Sequence, residues 1–161
     1  MSPSDKAEGW AKDLARKLRE DLASAEEQAR SANEELTRVG GPPGRATMAF
    51  VSVSIDRAYT AIESGLLRIA RVIDGAVPAG EGWHKALLHQ MTLPIQDGRA
   101  AVLSAASAAA LDVLRRHRHW LRHAYAASFE WGRMKEAAQV LPGAVATARA
   151  ELERFIAVLD G

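Results

Sequence analysis

The sequence contains no cysteine among its 161 residues, which excludes a disulfide framework and any zinc site built on thiolates. This absence suits a reducing compartment, and we expect the protein to be cytoplasmic. The polar segment 1–9 lacks the apolar core of a secretory signal. There is also no run of about 18 apolar residues, so we predict no membrane-spanning segment and no membrane partner.

Motifs of several enzyme classes are missing as well. The sequence has no glycine-rich phosphate loop, no GxSxG nucleophile and no HExxH zinc pattern. These absences argue against P-loop nucleotide binding, α/β-hydrolase chemistry and a zincin-type metal site. We therefore predict no metal site and no cofactor.

Apolar residues recur at steps of three and four, which is the period of helices with one buried face. We predict helices over 4–39, 45–74 and 81–91, a fourth from Ser104 to about Ala127, and a fifth after Ser128 that continues through Pro142 with a kink at that proline. The apolar stripe of the long N-terminal helix starts at Trp10. Glycine and proline at 40–44 and 75–80 separate the first three helices. No segment has the period of a strand, so residues 1–161 should form one all-α antiparallel bundle of four long helices plus a short one.

Basic charge is concentrated in segment 114–125, which holds four arginines and three histidines although the whole chain has a net charge of only +1. On a helical wheel Leu111, Leu114, Leu121 and Tyr125 share one face, and Arg118 lies within it. A lone charge on an apolar face is costly to bury. Arg118 therefore needs an acidic partner, a phosphate or an open cleft.

His119 and His123 are neighbours one turn apart on the same predicted helix, and Arg116 lies close to them. An imidazole can remove or donate a proton, and a guanidinium can bind a phosphate. These groups suit RNA cleavage, because the 2′-hydroxyl of RNA is itself the nucleophile and neither a metal nor a protein nucleophile is needed. A solvated or partner-binding helix face explains the same composition. His84 and His89, on the short helix, are expected to be surface or semi-buried polar residues.

The segment from Arg118 to Tyr125, RHWLRHAY, resembles the R-x4-H-x-Y motif of HepT-like proteins of the HEPN superfamily. Segments 59–63, 83–91 and 151–155 are also similar to that family, so the resemblance extends over roughly residues 45–160. The long N-terminal helix matches none of its motifs.

The resemblance implies a HEPN-type helical bundle that forms a homodimer and acts as a metal-independent endoribonuclease toxin. It implies that Arg118 binds the phosphate, that His123 transfers a proton and that His119 fills the polar position after the arginine. We expect the flanking Arg115, Arg116 and Arg122 to bind RNA phosphates. The implied antitoxin is a nucleotidyltransferase that modifies Tyr125 by adding AMP.

The helical geometry leaves open which arginine acts with His123. On a straight helix Arg118 and His123 are about 140° apart, whereas Arg116 and His123 nearly coincide. Either the helix is distorted, or Arg118 meets His123 across a dimer, or Arg116 takes part.

Two non-catalytic functions also fit the sequence. The chain could be an adaptor or substrate-binding partner of a nucleotidyltransferase. It could instead be a dimeric interaction protein whose basic helix pairs with acids of its own bundle, such as Glu26, Glu27, Glu34 and Glu35.

Overall fold

A computed structural model describes residues 3–123 and 129–161, and all regular structure within these residues is helical. The helices are α1 (Pro3–Val39), α2 (Arg45–Ile69), α3 (Trp83–Met91), α4 (Ala105–His123) and α5 (Trp131–Asp160). The prediction of an all-α chain with four long helices and one short helix is confirmed.

Most helix boundaries follow from the local sequence. A π-helical turn, Ala70–Asp74, extends α2, and Gly75 ends it in the left-handed conformation that glycine adopts without steric cost. Ser104 caps α4, because its Oγ accepts a hydrogen bond from the backbone N–H of Ser107 at 3.1 Å. The helix α5 continues through Pro142, as predicted.

The fifth helix begins later than predicted. Its first residue is Trp131, with Glu130 at the N-cap position. The predicted end of α4 near Ala127 and the predicted start at Ser128 lie outside the described residues.

Hydrogen bonds and ion pairs between side chains show how α1 lies against its neighbours. Arg68 of α2 donates to Asp21 at 2.9 Å, and Thr47, near the start of α2, donates to Glu35 at 2.9 Å. Residue numbers therefore increase along one helix in the direction in which they decrease along the other, so α1 and α2 are antiparallel. The pairs Arg149–Glu26 and Arg19–Asp160 show the same relation between α1 and α5.

Trp10 departs from the predicted core stripe, since it is 45% exposed. The reason lies in helix lengths. Asp160, the last residue of α5, pairs with Arg19, and the α2 segment ends a few residues after Arg68, which pairs with Asp21. The first turns of α1 therefore extend beyond both neighbouring helices.

The core lies where α2 packs against α1, α4 and α5, and α3 covers part of α2 and α4. Its largest fully buried side chains are Leu18, Ile55, Tyr59, Ile62, Leu66, Ile69, Leu87, Met91, Leu111, Leu114, Met134 and Leu141. This packing orients α2, α3 and α4 so that their polar residues meet on one side of the bundle. Over the two described ranges, no helix is both long enough and apolar enough to span a membrane.

Candidate active site

The basic helix α4 is attached to the core through an apolar face that also carries a histidine. Leu111 and Leu114 are fully buried, and one turn further His117 is buried too. The Nε2 atom of His117 lies 2.8 Å from the Ser52 hydroxyl on α2. Burial lowers the pKa of His117, so this imidazole is neutral at physiological pH. His117 therefore serves the attachment of α4, and the next residue faces the site.

Arg118 lies between two carboxylates of α2. Its Nη1 donates to Glu63 at 3.0 Å, and its Nε lies 3.1 Å from Asp56. The Arg118 side chain is only 15% exposed. The sequence left an acidic partner, a phosphate or an open cleft as possibilities for this charge, and the structure supplies two acidic partners.

Glu63 is the most connected acid of the site, although its side chain is only 6% exposed. Besides Arg118, it accepts hydrogen bonds from the Tyr59 hydroxyl at 2.8 Å and from Nδ1 of His84 at 2.6 Å. Burial, together with the neighbouring Glu63 charge, raises the pKa of Tyr59, so this hydroxyl remains a donor. One buried carboxylate therefore fixes side chains from α2, α3 and α4.

His119 and His123 form a pair of imidazoles on the outer surface of α4. Their ring centroids are 4.1 Å apart. Nδ1 of His123 lies 2.7 Å from the backbone oxygen of His119. Because a carbonyl oxygen can only accept, Nδ1 carries the hydrogen in this bond. In neutral His123 the lone pair is then on Nε2, the atom that can accept a proton.

Two clefts adjoin this histidine pair. The larger, of about 590 Å³, is lined by Arg115, Arg116, His119, Trp120, His123, Glu130 and Arg133. The smaller, of about 210 Å³, is lined by His84, Arg115, Arg118, His119, Arg122 and His123. Arg115, His119 and His123 line both. The two imidazoles are therefore placed between two concave surfaces that are lined mainly by arginine and histidine.

The geometry bears directly on which arginine accompanies His123. The helix α4 is continuous from Ala105 to His123, so no distortion brings Arg118 around to the histidine. Arg118 shares the smaller cleft with His123, and Arg116 shares the larger one. A single chain thus places His123 beside both arginines, in different clefts.

The positive charge of α4 is largely balanced. Its four arginines lie near three carboxylates: Asp56, Glu63 and Asp112. Arg115 and Arg116 pair with Asp112, and Arg122 approaches Asp56 at 3.6 Å. Arg116 and Arg122 are more than half exposed, whereas Arg118 is not. The exposed pair is therefore the more accessible to a phosphate.

The acids that pair with α4 differ from those suggested by sequence. Glu26 contacts Arg149, Glu27 and Glu34 contact Arg30, and Glu35 contacts Arg38. The basic helix does pair with acids of its own bundle, but these acids are Asp56, Glu63 and Asp112 rather than the four given as examples, because α2 rather than α1 lies against α4. Tyr125, the predicted modification site, lies outside the described residues.

Sequence reasoning missed Asp56, Glu63, His84 and His117 as parts of this site. Asp56 and Glu63 are seven residues apart, so they occupy one face of α2 beside its apolar stripe. Like Arg118, both residues carry a charge beside an apolar stripe and therefore need a partner. No local signal distinguished His84, whose place depends on how α3 packs against α2. His89 is exposed, as expected.

Across residues 3–123 and 129–161, no group of three or more histidine or carboxylate side chains is arranged to hold a metal ion. The side chains around the clefts instead offer imidazoles and guanidiniums. Their chemistry is proton transfer and binding of an anion.

A comparison with protein families gives one match. Residues 50–159 match the model of the family described as HepT-like protein. The match covers about two thirds of the chain and includes α3, α4 and most of α2 and α5, whereas α1 lies outside it. No curated protein and no solved structure matches the chain. The matched region lies within the residues over which the family resemblance was predicted.

Proposed function

This chain belongs to the HepT-like family of the HEPN superfamily, and we propose that it is a metal-independent endoribonuclease of a toxin–antitoxin pair. The observation that carries the proposal is the histidine pair between two clefts lined mainly by arginine and histidine, with Nδ1 of His123 bonded to the His119 carbonyl at 2.7 Å. This bond supports a role for Nε2 of His123 as the proton acceptor.

In the proposed reaction, Nε2 of His123 takes the proton of an RNA 2′-hydroxyl. The 2′-oxygen bonds to the adjacent phosphorus, the bond from phosphorus to the 5′-oxygen breaks, and a 2′,3′-cyclic phosphate remains. No protein nucleophile is needed. His119, whose ring is tilted by 33° against that of His123 at 4.1 Å between centroids, limits the positions that the His123 ring can adopt.

The exposed arginines and the largely buried arginine have different roles in binding phosphate. Arg116 and Arg122 are exposed and bind phosphates along the RNA, with Arg115 between the clefts. Arg118, held by Asp56 and Glu63, contributes a fixed positive charge at the smaller cleft. A fixed charge can stabilise the growing negative charge of the transition state without reorganising.

We also propose that the active form is a homodimer. Phe50 and Val53 are exposed apolar residues on α2, close in sequence to Ser52 and Asp56, which contact α4. Burying them against a second copy beside the cleft would remove apolar surface from water. Sedimentation of the wild type and of Phe50→Glu tests this, and a wild-type monomer at all concentrations would contradict it.

The proposed partner is a nucleotidyltransferase antitoxin that adds AMP to Tyr125. An added nucleotide two residues from His123 would obstruct the clefts. The product of the neighbouring reading frame, mixed with the chain and ATP, should add the mass of one AMP to the wild type but not to Tyr125→Phe. The absence of any added mass would remove this part of the proposal.

A second candidate, a non-catalytic adaptor, is favoured by one observation. Arg118 already forms ion pairs with Asp56 and Glu63, so it is less available to bind RNA than an unpaired arginine. An adaptor would retain the clefts and bind a protein or nucleotide partner without cleaving RNA.

The deciding experiment incubates purified protein with RNA in the presence of EDTA. We expect cleavage by the wild type, loss of on the order of 10²–10⁴-fold with His123→Gln, and no change with His89→Gln. His89 is the matched control because it is an exposed histidine outside both clefts. Intact RNA with the wild-type protein would leave the adaptor as the better account.

The two arginine candidates are compared in the same assay. We expect Arg118→Ala to abolish cleavage and Arg116→Ala to weaken RNA binding. Because Arg118→Ala also leaves Glu63 and Asp56 without their shared cation, its unfolding is measured in parallel. Equal losses of cleavage in two equally folded variants would contradict the assignment to Arg118.

A further inference from the structure

The smaller cleft contains a third imidazole, which comes from a different helix. His84 is the second residue of α3, and it lines the cleft together with Arg118, His119 and His123 of α4. The α4 histidines and the α3 histidine therefore border the same 210 Å³ space. A phosphodiester bound there would meet imidazoles from two helices.

The orientation of His84 is fixed by two contacts. Its Nδ1 lies 2.6 Å from a carboxylate oxygen of Glu63, and its ring stacks on Trp83 with centroids 3.6 Å apart. Glu63 is itself held by the Tyr59 hydroxyl and Arg118. The imidazole thus rests on a buried carboxylate that cannot turn away without losing two other bonds.

This arrangement leaves the other ring nitrogen for the cleft. A carboxylate can only accept, so Nδ1 of His84 carries a hydrogen directed at Glu63. Among the described residues, no group forms a hydrogen bond with Nε2. In the protonated ring Nδ1 keeps its bond to Glu63, and Nε2 carries a second hydrogen that it can donate to a bound molecule.

A purely structural histidine would need only the bond to Glu63. His84 has in addition about a third of its side chain exposed, in a cleft whose other lining residues are all arginine or histidine. His89, one and a half turns further along α3, is exposed but lines neither cleft. His84 therefore differs from His89 in two ways: it is bonded to the Glu63 carboxylate, and it lines the smaller cleft.

We propose that His84 is the general acid of the cleavage reaction, an inference that rests on the proposed ribonuclease function. His123 accepts the proton of the 2′-hydroxyl, and the 2′-oxygen forms its bond to phosphorus. As the bond from phosphorus to the 5′-oxygen breaks with its electron pair, Nε2 of His84 donates its proton to that oxygen. One proton enters the protein at His123 and one leaves it at His84, so no water or other co-reactant is consumed.

The test uses two RNA substrates that differ at one atom. The first has the natural bridging 5′-oxygen at the scissile phosphate, and the second has a bridging 5′-sulfur. A thiolate is a far better leaving group than an alkoxide, so the sulfur substrate does not need a general acid. It does still need the base at His123 and the same binding groups.

We expect His84→Gln to slow cleavage of the oxygen substrate on the order of 10²–10⁴-fold, the usual contribution of an acid or base, and that of the sulfur substrate less than about tenfold. Glutamine can still donate to Glu63 but cannot transfer a proton. His123→Gln should slow both substrates, and His89→Gln neither. Retained cleavage of the sulfur substrate also shows that the variant is folded.

The possible contrary results separate the two proposals. If the wild type cleaves neither substrate, the ribonuclease proposal fails and this inference fails with it. If the wild type is active and His84→Gln cleaves the oxygen substrate at the wild-type rate, only the role of His84 is refuted. Equal slowing of both substrates by His84→Gln also refutes it, because such a loss reflects structure rather than protonation of the leaving group.

Discussion

Replacing Glu63 with glutamine perturbs the contact on which the clefts depend most. Glutamine has nearly the same shape, but it removes the negative charge that holds Arg118 and His84. The amide nitrogen cannot accept a hydrogen bond, so at least one of three donors, including the Tyr59 hydroxyl, loses its partner. Among the described residues, Asp56 is then the carboxylate that remains beside Arg118.

The expected loss of stability follows from burial. Glu63 and Arg118 are 6% and 15% exposed, so solvent screens their interaction little. Removing one partner of a buried ion pair costs about 3–5 kcal/mol. Because Asp56 still compensates Arg118, we expect the lower end, about 3 kcal/mol in the free energy of unfolding. For a chain of this size that corresponds to a fall in Tm of roughly 6–12 °C.

The assay is urea unfolding followed by circular dichroism, with two comparison variants. Tyr59→Phe removes one bond to Glu63 and should cost about 1 kcal/mol. Glu20→Gln breaks an exposed pair with Arg16 on α1 and should cost less than about 0.5 kcal/mol. A Glu63→Gln variant as stable as Glu20→Gln would refute the reasoning, because Arg118 and His84 would then not depend on this carboxylate.

Three further predictions follow from other contacts. Burial lowers the pKa of His117 below its usual 6.5. As pH falls below 6.5, the unfolded chain therefore takes up a proton that the folded chain does not. The free energy of unfolding decreases by up to about 1.4 kcal/mol per unit of pKa difference between the two states. His117→Gln should flatten this part of the dependence of the urea midpoint on pH, and an unchanged slope would contradict it. Asp56→Asn removes a negative charge between Arg118 and Arg122 and should therefore tighten RNA binding. Coulomb's law for charges roughly 4–8 Å apart in water gives an effect of about two- to sixfold. The control variant Asp13→Asn on α1 should leave RNA binding unchanged. Fluorescence anisotropy in a His123→Gln background measures this, and weaker binding would count against it. Leu111→Ala, at a fully buried position of α4, should lower the free energy of unfolding by about 2–5 kcal/mol, and a loss below 1 kcal/mol in urea unfolding would show that α4 is not packed as described.

The helices could be predicted from sequence because each has an apolar face of regular period and clear breaks. Glycines and prolines at 40–44 and 75–80 separate three of them, and Ser104 marks the start of α4 through its cap. The exposure of Trp10 could not be predicted in the same way. The apolar stripe of α1 keeps its period into the first turns of the helix. Whether those turns are buried depends on how far α2 and α5 extend alongside them.

The candidate site was predictable along one helix but not between helices. The spacing of Arg118, His119 and His123 follows from the period of α4. Their acidic partners depend on which helix packs against that face, and sequence offered acids of α1 as readily as those of α2. His84 is separated from Arg118 by more than thirty residues, so only the tertiary packing of α3 shows that both bind Glu63.

The identity of the RNA ends tests the central claim most directly. The wild-type protein is incubated with an RNA of defined sequence in EDTA, and the products are analysed by mass spectrometry. The account predicts fragments with a 2′,3′-cyclic phosphate and a 5′-hydroxyl, and it predicts their absence with an RNA whose scissile nucleotide lacks the 2′-hydroxyl. Fragments with a 5′-phosphate, or cleavage of the RNA without the 2′-hydroxyl, would contradict it.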